Sequence, residues 1–143
     1  MGVIGDDIHT VGNRIMQLAL EESQLRVFNL RTRNRPESFV QAALEVNAHA
    51  VFVSSLNGEG EHWCADFRQR FIEIGLPDVV LYVGGNVVVG TRPEPEVVEL
   101  FKGYGFDRVY HQRPDIGAAI ADLFEDLRTQ SDQREHRRGP SFA

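Results

Sequence analysis

Apolar positions along this chain follow two alternating rhythms. Continuous apolar runs occur at residues 1–4, 50–53 and 79–83, with shorter ones at 26–30 and 108–110. Such runs mark strands buried on both faces of a parallel sheet. Between them, apolar residues recur at helical spacing. Val11, Ile15, Leu18 and Ala19 predict a helix over 10–23, and Phe39, Ala42, Ala43 and Val46 predict one over 36–46, opened by Pro36. Phe67, Phe71 and Ile74 predict a third over 61–74. A fourth follows Pro93 and Pro95, with Val97, Val98, Leu100 and Phe101 inward, and ends at Gly103 and Gly105. Ile116, Ala119, Ile120, Leu123 and Leu127 predict the last, over 115–128.

Five strands alternating with five helices predict a doubly wound, flavodoxin-like α/β domain over residues 1–128. Its five parallel strands take the order 2-1-3-4-5, with helices on both faces. Residues 129–143 are polar, basic and proline-containing, and read as a disordered tail. At 143 residues the chain suits one domain with its own core. The net charge of -6 argues against a general nucleic-acid binder. No apolar run reaches membrane-spanning length. The single cysteine, Cys64, excludes an internal disulfide and fits a reducing cytoplasm.

Ligands of such sheets bind at the carboxyl ends of the strands, beside the point where strand order reverses. Three loops meet there. The first is Gly5-Asp6-Asp7-Ile8-His9-Thr10-Val11-Gly12. Its Asp7-x-His9 spacing lets a carboxylate hold one ring nitrogen while the other faces a metal. On these residues alone a plain helix cap by Asp6 or Asp7, with His9 exposed at the turn, is the better account, so the rest of the chain must decide. The second loop brings the small hydroxyls Ser54 and Ser55, with Leu56, and the third brings Gly84 and Gly85. A receiver domain also has paired acids after its first strand. It needs an Asp after strand three and a Lys after strand five, where this chain has Ser54-Ser55 and His111-Gln112. Asp6 and Asp7 would repel the phosphate of an FMN, and a Gly-x-Gly-x-x-Gly loop is missing. The combination suits a flat metallocofactor with a tail that needs a slot.

The ordered set Asp7-x-His9-x-x-Gly12, Ser54-x-Leu56 and Gly84-Gly85 resembles the signature of cobalamin-binding domains that hold the corrinoid base-off with histidine on. The intervening gaps, residues 13–53 and 57–83, fit that pattern. Gly2-Val3-Ile4-Gly5, Val53-Ser54-Ser55-Leu56, Leu81-Tyr82-Val83-Gly84-Gly85-Asn86 and Asp107-Arg108-Val109-Tyr110 further resemble the small subunits of glutamate mutase. The likeness spans residues 1–128.

The resemblance implies His9 as the lower axial ligand of cobalt and Asp7 as its hydrogen-bond partner. It implies Ser54, Ser55 and Leu56 at the displaced benzimidazole, and Gly84, Gly85, Asn86, Val87, Val88, Val89 and Gly90 along the nucleotide tail. Asp6, Ile8 and Thr10 would meet the corrin, and Gly12 would let the first helix approach the tail. The cofactor implied is adenosylcobalamin. The partner implied is a large barrel subunit carrying the glutamate site, in a hetero-oligomer that rearranges L-glutamate to (2S,3S)-3-methylaspartate by radical chemistry. The chain would be inactive alone. A stand-alone corrinoid carrier or a cobalamin-sensing module remains the alternative. The resemblance also expects residues ahead of Gly2-Val3-Ile4 in the first strand, and a more apolar segment in place of Arg31-Thr32-Arg33-Asn34. Glu59 and Glu61 are open between a solvated turn and a contact with the corrin edge or the partner. Trp63 and Cys64 read as packing residues.

Overall fold

The computed structural model describes residues 1–112 and 115–138. Four parallel strands, β1 (Gly2–Val3), β2 (Ala50–Ser55), β3 (Val80–Gly85) and β4 (Arg108–His111), lie side by side in chain order. The helices are α1 (Val11–Glu22), α2 (Pro36–Val46), α3 (Gly60–Trp63), α4 (Phe67–Glu73), α5 (Glu94–Gly103) and α6 (Ile116–Arg138).

The expected five-stranded order 2-1-3-4-5 is therefore corrected to four strands in the order 1-2-3-4. The missing member is the segment at residues 26–30. It does run beside β1: Met1 donates to the Phe28 carbonyl at 2.8 Å, and Leu30 N–H to that of Met1 at 2.8 Å. Val3 N–H then donates to the Arg31 carbonyl at 2.7 Å, and an isolated bridge joins Ile4 and Asn34. Along this stretch Arg31 and Arg33 adopt positive φ, 66° and 59°, which breaks the ladder. The core order of the other four strands is the one expected.

Two layers of apolar side chains cover the sheet. On one face Ile4, Val51, Val53, Leu81 and Val83 pack with Phe39, Phe67, Phe71, Val97 and Phe101 from α2, α4 and α5. On the other, Phe52, Val80 and Tyr82 pack with Leu20 of α1 and Leu123 of α6. The expected single helix over 61–74 divides into α3 and α4, because Asp66 turns left-handed at φ 56°.

Helix α1 forms where expected but is turned about its axis. Val11, Ile15 and Leu18 are exposed, Val11 at 71 %, while Asn13 and Leu20 are buried. A side-chain network sets this rotation. Asn13 donates to Asn29 at 2.8 Å, and Asn29 donates to Gln17 at 2.9 Å, which draws the polar side of the helix onto the chain beside β1.

The edge of the sheet opposite the strands' carboxyl ends is tied by two side chains. Arg68 donates to the carbonyls of Gly105, Pro77 and Val79 and pairs with Asp107. Gln130 is buried and donates to the carbonyls of His49 and Asp78, at 2.8 and 2.7 Å. Helix α6 thus continues to Arg138, past the expected boundary at residue 128, and Arg137 pairs with Asp78 at 2.8 Å. The rest of the tail, 139–143, lies outside the described residues.

Candidate functional site

The loop between β1 and α1 is built around Asp7, which is 1 % exposed. One carboxylate oxygen faces His9. It accepts from the His9 backbone N–H at 2.9 Å and lies 2.6 Å from ring Nδ1. The other oxygen accepts the backbone N–H groups of Leu56 at 2.6 Å and Asn57 at 3.0 Å. Burial works against the charged form of this carboxyl. The hydrogen bonds from His9, Leu56 and Asn57 outweigh it and hold the group below the usual carboxylate range. An ionised Asp7 accepts a hydrogen bond from the Nδ1–H of a neutral His9, so the Nε2 lone pair is left free. The His9 side chain is 56 % exposed. A plain helix cap does not describe this arrangement. The N-cap residue of α1 is Thr10, which makes no side-chain cap, and Asp7 spends its oxygens elsewhere.

Strand pairing settles the second and third loops. Ser54 and Gly84 are register partners in β2 and β3, as are Ser55 and Gly85. Side chains alternate along a strand, so Ser54 and Gly84 share the face of Phe52 and Tyr82, next to α1. A Cβ built at Gly84 would meet Tyr110 in ordinary van der Waals contact, at 3.4 and 3.6 Å, so the position has no close clash. Ser55 and Gly85 lie on the other face. Ser55 is fully buried, and its hydroxyl accepts the Gly60 N–H at 3.1 Å. Gly85 adopts φ +105°, where a Cβ would lie 2.3 Å from the Ser55 carbonyl oxygen, so only glycine fits.

The remaining sequence-predicted residues divide. Ile8, Leu56 and Val89 are exposed apolar groups around the loops. Thr10 and Gly12 are exposed at the start of α1, with nothing within 4 Å of a Cβ at Gly12. Asp6 is exposed and pairs with Arg35 at 2.9 Å. Asn86 accepts the Gly58 N–H through its carbonyl, and Gly90 is exposed. Val87 and Val88 are fully buried in the core, so the segment after Gly85 faces inward before Val89 emerges. Cys64 is buried too, and burial pushes its thiol far up, which makes it a packing residue.

The sequence left Glu59 open and read Trp63 as packing; it did not show that these two and Arg35 meet beside the loop. Glu59 accepts from the Asp6 backbone and the Trp63 indole, and Arg35 stacks over Trp63. The available signal was the four-residue spacing of Glu59 and Trp63, which puts both on one side of a helical turn.

A comparison with family models finds no match. Curated proteins do match. The chain is 50 % identical over 127 residues to the glutamate mutase sigma subunit of Carboxydothermus hydrogenoformans, covering 89 % of this chain and 93 % of the relative. It is 44 % identical over 127 residues to that of Clostridium cochlearium, with the same coverage.

The chain belongs to the glutamate mutase sigma subunit family.

Solved structures agree with the fold of this sigma-family chain. A cobalamin-binding protein from Desulfitobacterium hafniense superposes with a TM-score of 0.70 at 17 % identity, over 87 % of this chain and 56 % of that one. The monomethylamine corrinoid protein of Methanosarcina barkeri gives 0.67 at 20 %, over 87 % and 55 %. The sigma-family chain therefore spans just over half the length of each. No described helix is long and apolar enough to cross a membrane.

Proposed function

We propose that this chain is the cobalamin-binding subunit of a glutamate mutase, an isomerase active only with a larger partner. The observation that carries the reading is the Asp7–His9 pair, which leaves one free imidazole nitrogen at the exposed rim of the sheet. Among the described residues no three His, Cys, Asp or Glu side chains converge on a point. His9 is the residue that would hold the cobalt of a corrinoid.

The residues around His9 fit the rest of such a ligand. Ile8, Val11, Leu56 and Val89 offer exposed apolar surface beside it. Gly84, which carries no side chain, and its neighbour Ser54 would line the slot for a displaced benzimidazole and its tail. Ser54 would hydrogen-bond the base there. Asp7, held ionised, fixes the His9 tautomer and raises the electron density at Nε2. Ser55, Val87 and Val88 support the slot from within.

Bound adenosylcobalamin would supply a cobalt–carbon bond whose homolysis begins radical chemistry. The work of this chain is to bind, to orient the axial ligand and to hold its proton at Nδ1. The glutamate site, and the rearrangement of L-glutamate to (2S,3S)-3-methylaspartate, belong to the reading of a barrel partner. A cytoplasmic setting suits the single buried thiol.

The experiment is an absorbance titration with adenosylcobalamin, with and without a large subunit, followed by a methylaspartate assay. A base-off, histidine-on spectrum with turnover in the mixture alone is expected. Binding without turnover beside any such partner would turn the reading toward a carrier or sensor, and no binding at all would sink it.

A further inference from the structure

Residues 5 and 6, which lead into Asp7, are enclosed by side chains from two other elements. Glu59 Oε2 accepts the Asp6 backbone N–H at 3.1 Å and the Trp63 indole N–H at 3.3 Å. The Arg35 guanidinium lies 4.2 Å from the centroid of the Trp63 ring, and one of its nitrogens donates to Asp6 Oδ1 at 2.9 Å. Gly5 adopts φ +77°, and a Cβ there would stand 2.6 Å from both Glu59 Oε2 and Trp63 Nε1. From the other side, Gly5 N–H donates to the Asn34 carbonyl at 2.7 Å and Arg33 N–H to that of Asp7 at 3.2 Å.

His9 is half out in solvent and is held through Asp7 alone. Its aim is therefore inherited from the backbone of residues 5–7. A ligand side chain must sit within about 0.5 Å of its productive place, which a loop achieves only when neighbours lock it. Both hydrogen bonds of the Glu59 carboxylate described above serve this lock: one goes to the loop, the other to the ring that packs on it.

We propose that Glu59, Trp63 and Arg35 form a clamp that sets the aim of His9, and are positioning residues for the axial ligand. This rests on the cobalamin reading above. Asp7 fixes which nitrogen of His9 is free; the clamp fixes where that nitrogen points.

The test loads the full chain with cob(II)alamin. It reads the dissociation constant by absorbance and, with 15N-histidine in the chain, the two-line nitrogen superhyperfine splitting that a 15N axial imidazole gives to Co(II) in electron paramagnetic resonance, as against the three lines of the corrinoid's own 14N base. Glu59→Ala is expected to weaken binding about tenfold, at the low end of the range for residues behind a metal ligand. It should also lower the histidine-coordinated fraction at saturation. Glu59→Gln keeps an oxygen for both N–H donors and is expected to restore both readings. Should Glu59→Ala fail to fold, Arg35→Gln removes the stacked cation and the Asp6 pair and is expected to show the same two losses. A Glu59→Ala protein with unchanged affinity and full nitrogen splitting overturns the clamp, whatever its melting temperature. So does a Glu59→Gln protein as impaired as the alanine variant. A native chain that takes up no corrinoid overturns the cobalamin reading itself, before any substitution is made.

Discussion

Ser54 and Gly84 face one another across the parallel pairing of β2 and β3, on the side of the sheet that α1 covers. Neither residue is a strand former by preference, and on the reading proposed above the two line the slot for the cofactor's tail. Gly84→Leu should close it. The variant is expected to fold, since a Cβ at Gly84 meets nothing nearer than 3.4 Å, yet to lose cobalamin binding by absorbance titration. Normal uptake by a folded Gly84→Leu protein would place the cofactor tail elsewhere.

Asp7→Ala removes the partner of His9 Nδ1 and leaves the N–H groups of Leu56 and Asn57 without an acceptor. Cobalamin affinity is expected to fall by about ten- to a hundredfold. Stability should fall as well, by about 1–3 kcal/mol, from the unsatisfied backbone donors. Titration and thermal melting check the two effects separately. An affinity equal to that of the native chain would show that the pair has no part in binding.

Histidine 9 is tested most directly by its removal. His9→Gly is expected to abolish the histidine-on spectrum with any corrinoid, while the melting temperature of the free chain changes little because the side chain is largely exposed. An unaltered spectrum would exclude it as the ligand.

Stability should depend on pH in the acid range. Hydrogen bonds from Arg108 and Tyr82 lower the Asp126 carboxyl, the arginine being the larger influence, and Asp7 is lowered by its own set despite burial. Both groups bind protons less readily in the folded chain than in the unfolded one. Their contribution is present above about pH 4, the ordinary carboxylate value, and is lost as pH falls through the lower folded values. A melting temperature that is level near neutrality and declines below about pH 4 is expected, with a shallower decline for Asp126→Asn.

Truncation after residue 128 is expected to destabilise the chain. It deletes Gln130, whose amide donates to the carbonyls of His49 and Asp78. Gln130→Ala should reproduce a loss of about 1–3 kcal/mol, read by denaturant unfolding.

What the sequence allowed, and what it hid, follows from range. The runs at β2 and β3 and the helix opened by Pro36 are local patterns, and they formed where expected. The motif residues Asp7, His9, Ser54 and Gly84 converge because strand order alone brings those loops together. The strand at residues 26–30 failed because two arginines turn left-handed, and an arginine carries no mark of positive φ. The rotation of α1 hung on Asn13 and Asn29, a contact between distant parts of the chain that helical periodicity cannot register. Helix α6 outran its apolar pattern because Gln130 finds two carbonyls at the sheet edge, which composition reads as polar tail. The roles of Glu59 and Trp63 stayed hidden for the same reason: their partners, Asp6 and Arg35, lie far away in sequence.

Arg68 and Gln130 between them hold five backbone carbonyls at one end of the sheet. On the reading proposed above, a larger partner and the cofactor would both approach the other end. The molecule is thus built like a tool with a bolted foot and a working lip. On that reading, settling on docking would fall at the lip, and the foot would give it a fixed reference.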